Sequence, residues 1–68
     1  MDSAGIRLTA RETDVLRLMA RGHTYLQIGD ELGVSLHTVA SHAKNIYRKL
    51  EVRSARAAVW RALELGLT

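Results

Sequence analysis

From Thr9 onward the chain reads as four short helical patterns separated by tight punctuation. Val15, Leu16, Met19 and Ala20 share one helical face, while Thr13, Asp14, Arg17 and Arg21 turn away from it. Thr9 followed three residues later by Glu12 is a capping box that starts this helix, and Gly22 suits its stop, so it spans about residues 10–21. Thr24 with Gln27 repeats the box and opens a second helix over about 25–32, with Leu26, Ile28 and Leu32 as its apolar side and Gly33 as its end. Ser35 caps a third pattern, about 36–50, in which Leu36, Val39, Ala43, Ile46 and Leu50 form one core-facing seam. Opposite that seam fall His37, Ser41, Lys44 and Arg48, flanked by Ala40 and Asn45. Thr38, His42 and Lys49 border it on one side and Tyr47 on the other. Ser54 caps a fourth helix over about 55–65, packed through Ala55, Ala58, Val59, Ala62 and Leu65, with Arg56, Arg61 and Glu64 outward. The expectation is an all-α four-helix bundle of residues 8–68, with 1–7 as a loose lead-in.

The junction between the second and third helices is informative. Two helices joined by a turn of three or four residues containing glycine form a helix-turn-helix. Gly29 stands inside the second helix, where glycine costs about 1 kcal/mol relative to alanine. That cost is rational if the third helix crosses there and no side chain fits. Gly33 can adopt the left-handed turn conformation. Val34 then plugs the gap and Val39 anchors the third helix beneath.

Length and composition narrow the function. Sixty-eight residues make one domain, which buries only about 60% of its unfolded surface. The absence of cysteine removes disulfides and thiolate metal sites, and fits a cytoplasmic chain. No apolar run approaches the roughly 20 residues needed to span a membrane. The net charge of +3 leans toward anionic partners, and its distribution says more. No Asp or Glu occurs between Leu32 and Leu50, a stretch that holds His37, His42, Lys44, Arg48 and Lys49. This is either a solvated basic face or an anion-binding one.

The outward side of the third helix has the residue types that double-stranded DNA requires. Ala40 and Ser41 permit close approach to a base edge, and alanine can touch a thymine methyl. Lys44 and Arg48 can reach guanine edges or phosphates, and Asn45 can pair with adenine. Thr24, Ser35 and Thr38 place hydroxyls and backbone N–H groups at helix N-termini, where phosphates bind. His37 lies on the same outer stripe, and Lys49 at its border serves phosphate positioning.

Several short stretches, in order and spacing, resemble the LuxR-type (GerE-type) helix-turn-helix domains of bacterial transcriptional regulators. They are Leu8-Thr9-Ala10-Arg11-Glu12 with Val15-Leu16 and Ala20-Arg21-Gly22, then Thr38-Val39-Ala40-Ser41-His42 with Asn45-Ile46 and Lys49-Leu50-Glu51-Val52. The tail, Ala58-Val59 with Ala62 and Gly66-Leu67, also matches. The resemblance implies a four-helix DNA-binding domain whose third helix enters the major groove and whose fourth pairs two copies. It further implies a regulator that works beside RNA polymerase and normally follows a receiver or ligand-binding domain. In a dimer through the fourth helix, Arg56, Trp60 and Arg61 would supply the contact, although packing at the core edge is the simpler reading of Trp60, as of Tyr47. The chain departs from the family pattern at Ala40, where Lys or Arg is usual, at Tyr25-Leu26-Gln27 in place of Asn-Lys-Glu, and at Ala55 in place of Arg. Arg56 is expected to take over that Arg role by reaching Glu12.

No enzyme is expected. His37 and His42 point to different sides of one helix, His23 sits in a loop without a matching acid, and no nucleophile-base pair or phosphate loop is present. No metal or cofactor is expected either. Two other readings stay open: region four of a sigma factor, which shares Thr24-Tyr25 at the second helix, and a protein-interaction module that kept the fold and lost DNA binding.

Overall fold

In the computed structural model of the chain, which describes residues 6–67, Thr9 opens the first helix. Its hydroxyl accepts the N–H of Glu12 at 3.1 Å and its own N–H donates to the Glu12 carboxylate at 2.9 Å. α1 runs Ala10–Ala20 and ends before Gly22, whose φ of 86° turns the chain. The reciprocal pair of Thr24 and Gln27 opens α2, Tyr25–Leu32, which stops at Gly33 with φ 70°. Ser35 accepts the N–H of Thr38 to cap α3, Leu36–Leu50. Ser54 accepts the N–H of Ala57 to cap α4, Ala55–Leu65. Each helix therefore starts on a hydroxyl that satisfies one of its orphan N–H groups. Among the described residues there are four helices and no strand, the expected all-α architecture, with α1 one residue shorter at its end than expected.

α3 is the hub and packs against α1, α2 and α4. Its Val39, Ala43, Ile46 and Leu50 are buried with Val15, Leu16, Leu18 and Met19 of α1, Ile28 of α2, and Ala58 and Ala62 of α4. The two alanines are the fully buried part of α4, and Ala55, Val59 and Leu65 pack against the core beside them. Of the 1–7 lead-in, residues 1–5 lie outside the described residues, while Ile6 packs against the core beside Leu8.

Five apolar positions differ from expectation. In α1 the buried arc takes in Leu18 and leaves Ala20 exposed. Leu26 is 64% exposed, because it is only two residues from Ile28 and so falls on nearly the opposite side of α2. Leu36 is 52% exposed. It sits at the edge of the α3 seam and in the first turn, before α3 reaches the core. Trp60 is 65% exposed and not a core-edge residue, because it is two residues from both Ala58 and Ala62 and so falls on nearly the opposite side of α4.

Gly29 sets the spacing between α2 and α3. A Cβ there would lie 2.8 Å from the carbonyl oxygen of Val34, 3.6 Å from Val39 Cγ2 and 3.8 Å from the Leu36 nitrogen. Val34, whose N–H donates to the Gly29 carbonyl at 3.0 Å, closes this turn. Gly29→Ala gains about 1 kcal/mol of helix propensity but meets a backbone atom that no rotamer change can move. Overpacking of this kind costs about 1–3 kcal/mol, and the rigid neighbour places the strain at the upper end. Gly29→Ala is therefore expected to lower stability by about 1–2 kcal/mol, read as a fall in Tm of about 4–8 °C per kcal/mol. An unchanged or raised Tm would contradict this close crossing.

Candidate nucleic-acid interface

The exposed residues of α3 are Leu36, His37, Ala40, Ser41, Lys44 and Arg48. Their spacing places them along one side of the helix, opposite Val39, Ala43, Ile46 and Leu50. The stripe is neutral and short in its first half and cationic in its second, and α3 carries no acid. Thr24 and Ser35, both exposed, stand at the N-termini of α2 and α3. Thr38 and Asn45 are half-buried. The Thr38 hydroxyl pairs with that of Ser35 at 2.9 Å, and the Asn45 amide oxygen accepts from Arg48 at 3.4 Å. Of the expected DNA-facing residues, His37, Ala40, Ser41, Lys44 and Arg48 share one exposed side of α3, Thr24 and Ser35 stand exposed at helix N-termini, and one member is otherwise engaged.

That member is Lys49. Its ammonium donates to Glu12 Oε1 at 2.7 Å, and the Glu12 side chain is 5% exposed. Lys49 is tied to α1 rather than standing ready for a phosphate. The expected Arg56–Glu12 contact is also corrected: Lys49 and the Thr9 N–H take up the Glu12 carboxylate, and Arg56 is exposed on α4. On the opposite border of α3, the Tyr47 hydroxyl lies 2.6 Å from that of Tyr25 in α2. Burial pushes the Tyr47 hydroxyl above its ordinary range, and the hydrogen bond with Tyr25 adds to the rise. Sequence reasoning missed both ties, since their partners lie 37 and 22 residues apart.

Other predicted positions fall elsewhere. Trp60 and Arg56 line a shallow cleft of about 280 Å³ between α4 and the end of α1, with Met19, Ala20, Gly22, Ala55 and Val59. Arg61 is half-buried, 3.7 Å from Glu64. His23 lines an open cleft with Gln27, Asp30 and Glu31, and its buried Nδ1 makes no hydrogen bond to them. No group of three or more His, Asp or Glu among the described residues is placed to hold a metal ion.

The sequence model described as "Bacterial regulatory proteins, luxR family" matches residues 7–62. The chain belongs to the luxR family of bacterial regulatory proteins. It is similar to the transcriptional activator protein CarR of Pectobacterium carotovorum subsp. carotovorum, with 44% identity over 66 residues, 97% of this chain and 27% of CarR. Its fold matches that of the transcription factor GerE with a TM-score of 0.82 and 33% identity, covering 88% of this chain and 90% of GerE. It also matches the response regulator ChrA of a heme-sensing two-component system, with a TM-score of 0.89 and 34% identity, over 91% of this chain and 31% of ChrA. The chain thus spans about a quarter of CarR and a third of ChrA. It has the four-helix, helix-turn-helix fold of that family.

Within this family fold, the Glu12–Lys49 pair fixes α3 against α1. Burial pushes the Glu12 carboxyl up. The Lys49 hydrogen bond, the Thr9 N–H and the Lys49 charge together outweigh burial and hold it below its ordinary 4.5. A carboxyl lower in the folded than in the unfolded state adds stability that is present above the unfolded value and lost as pH falls through the folded one. Urea unfolding of the parent chain should therefore show stability declining below about pH 4.5, and Glu12→Gln should flatten that decline. Lys49→Ala, which strands a buried carboxylate, should lower stability near neutral pH by about 1–3 kcal/mol. Parallel pH profiles for parent and Glu12→Gln would refute the coupling.

Proposed function

We propose that this chain is the sequence-specific double-stranded DNA-binding part of a cytoplasmic bacterial transcription regulator, acting as a dimer with α3 in the major groove. The observation that carries this reading is the acid-free exposed stripe of α3. A B-DNA major groove about 12 Å wide admits a helix whose outward side chains are short or cationic, and this stripe offers the short ones first and the cations after. Ala40, Ser41, Lys44 and Asn45 face bases, with His37 beside them. Thr24, Ser35, Thr38 and Arg48 position the domain on phosphates, from helix N-termini and from the far end of α3. Lys49 acts indirectly here, by holding α3 in place.

Dimerisation through α4 is supported by the exposure of Trp60 and Leu63, 65% and 55%, with Arg56 and Arg61 beside them on the same helix. Tryptophan and arginine are favoured anchors of protein interfaces. A two-fold dimer would meet half-sites about one helical turn apart. RNA polymerase is the further protein partner that such a promoter-bound regulator would meet. The same exposed Trp60 and Leu63 favour a second reading, a protein-interaction module without DNA.

Selection from a random duplex pool across a range of salt separates the two. The DNA reading expects an enriched two-fold motif and a salt slope of about 0.9 per neutralised phosphate. A flat salt response without enrichment supports the interaction module. Lys44→Ala should weaken binding to the enriched site by about 1–3 kcal/mol and binding to random duplex much less. Equal losses on both would count against base readout by Lys44. Trp60→Ala should weaken binding to paired half-sites more than to a single one, and equal effects would remove α4 as the dimer face.

A further inference from the structure

We propose that the first half of the α3 stripe, Leu36 and Ala40, reads the 5-methyl groups of thymine, so that each half-site carries A·T pairs where α3 begins. The inference rests on the DNA-binding reading above and names the base chemistry that this part of the surface takes. Single exposed apolar residues are common on proteins and need no ligand. Leu36 differs in its placement. It is half-exposed at the first position of α3, and Ala40, one turn on, is exposed beside it. Residues four apart on a helix are neighbours, so the two make one continuous apolar strip rather than two isolated spots.

The strip lies where a recognition helix meets bases, since its N-terminal residues contact base edges. Its backbone is held in place: the Leu36 nitrogen lies 3.8 Å from the Cβ position of Gly29, within the tight α2–α3 crossing. His37, Ser41 and Lys44 adjoin the strip, and no acid occurs from Leu32 to Leu50. An apolar protein partner would have to tolerate Lys44 and Arg48 along the same side, whereas a nucleic acid is drawn to them. Among the edges exposed in the major groove of unmodified DNA, only that of thymine carries an apolar group. Until Lys44 the exposed stripe holds no Lys, Arg, Asn or Gln, so the bidentate pairing these residues make with guanine or adenine is missing from its first half.

The test starts from the duplex that random-pool selection returns. Each thymine is replaced in turn by deoxyuridine, which removes only the methyl group. At the positions facing the strip, affinity should fall about fourfold per methyl buried. Cytosine replaced by 5-methylcytosine at the same positions shows whether the methyl alone, or thymine as a whole, is read. Leu36→Ala, an exposed change that favours the helix, should narrow the preference for thymine over deoxyuridine at its position, and Ala40→Gly, which removes the methyl group outright, should abolish it at the neighbouring one. Thermal melts check that both variants fold. Equal parental affinity for thymine and deoxyuridine sites overturns the proposal and leaves the DNA reading standing. So does methyl sensitivity that survives in both variants. Failure of the parent chain to bind any duplex removes the DNA reading and this proposal together.

Discussion

The close crossing of α2 and α3 at Gly29 is the constraint on which the rest of the molecule depends. The Cβ position there lies 2.8 Å from the Val34 carbonyl oxygen of the connecting turn, and 3.6 Å and 3.8 Å from Val39 Cγ2 and the Leu36 nitrogen of α3, so turn and helix both close on this glycine. The left-handed Gly33 then closes the turn in three residues, and Val39 and Ile28 seal the crossing from within. An α2 of eight residues is too short to persist alone. It gains its order from this crossing, and in return fixes the angle at which α3 leaves the body. A side chain at position 29 would press first on the Val34 carbonyl, in the turn that leads into α3.

α3 divides its circumference into jobs that follow from what each arc touches. The inner arc fills the core between α1, α2 and α4. The two borders are fastened by polar links of different character, Lys49 to the buried Glu12 of α1 and Tyr47 to Tyr25 of α2. The first sits in a site where an unpaired carboxylate would be costly, so it resists rotation of α3 about its axis. The second ties α3 to the start of α2, next to the Thr24 cap. Only the remaining arc is left to solvent, and it carries the exposed cations Lys44 and Arg48. Rigid elements hold an exposed surface more sharply than loops do, and the surface proposed to read DNA is held from both edges.

Local features were legible in the sequence because their chemistry is local. Thr9, Thr24, Ser35 and Ser54 each bond a backbone group three residues away, and Gly22 and Gly33 take left-handed turns. Gly29 was legible by its cost inside a helix. What escaped depends on where helices end and which ones meet. A helical wheel places Leu36 at the seam's edge but does not show that the core ends before it, and Trp60 reads as a core-edge residue only until α4 is seen to bury Ala58 and Ala62, two residues to either side. The Lys49–Glu12 and Tyr47–Tyr25 contacts join distant stretches of chain, and no spacing rule links them. Reading Lys49 as a phosphate contact followed from its charge and border position, and only the packing of α1 reveals its partner.

The most direct measurement of the central claim is a titration of the isotope-labelled chain with its selected duplex, followed by the backbone amide resonances of every residue. The account predicts that the largest shifts fall on Leu36, His37, Ala40, Ser41 and Lys44, with smaller ones at Thr24 and Ser35 and little change around His23 and Asp30. Shifts concentrated on the cleft beside Trp60, with the α3 stripe unmoved, would contradict it.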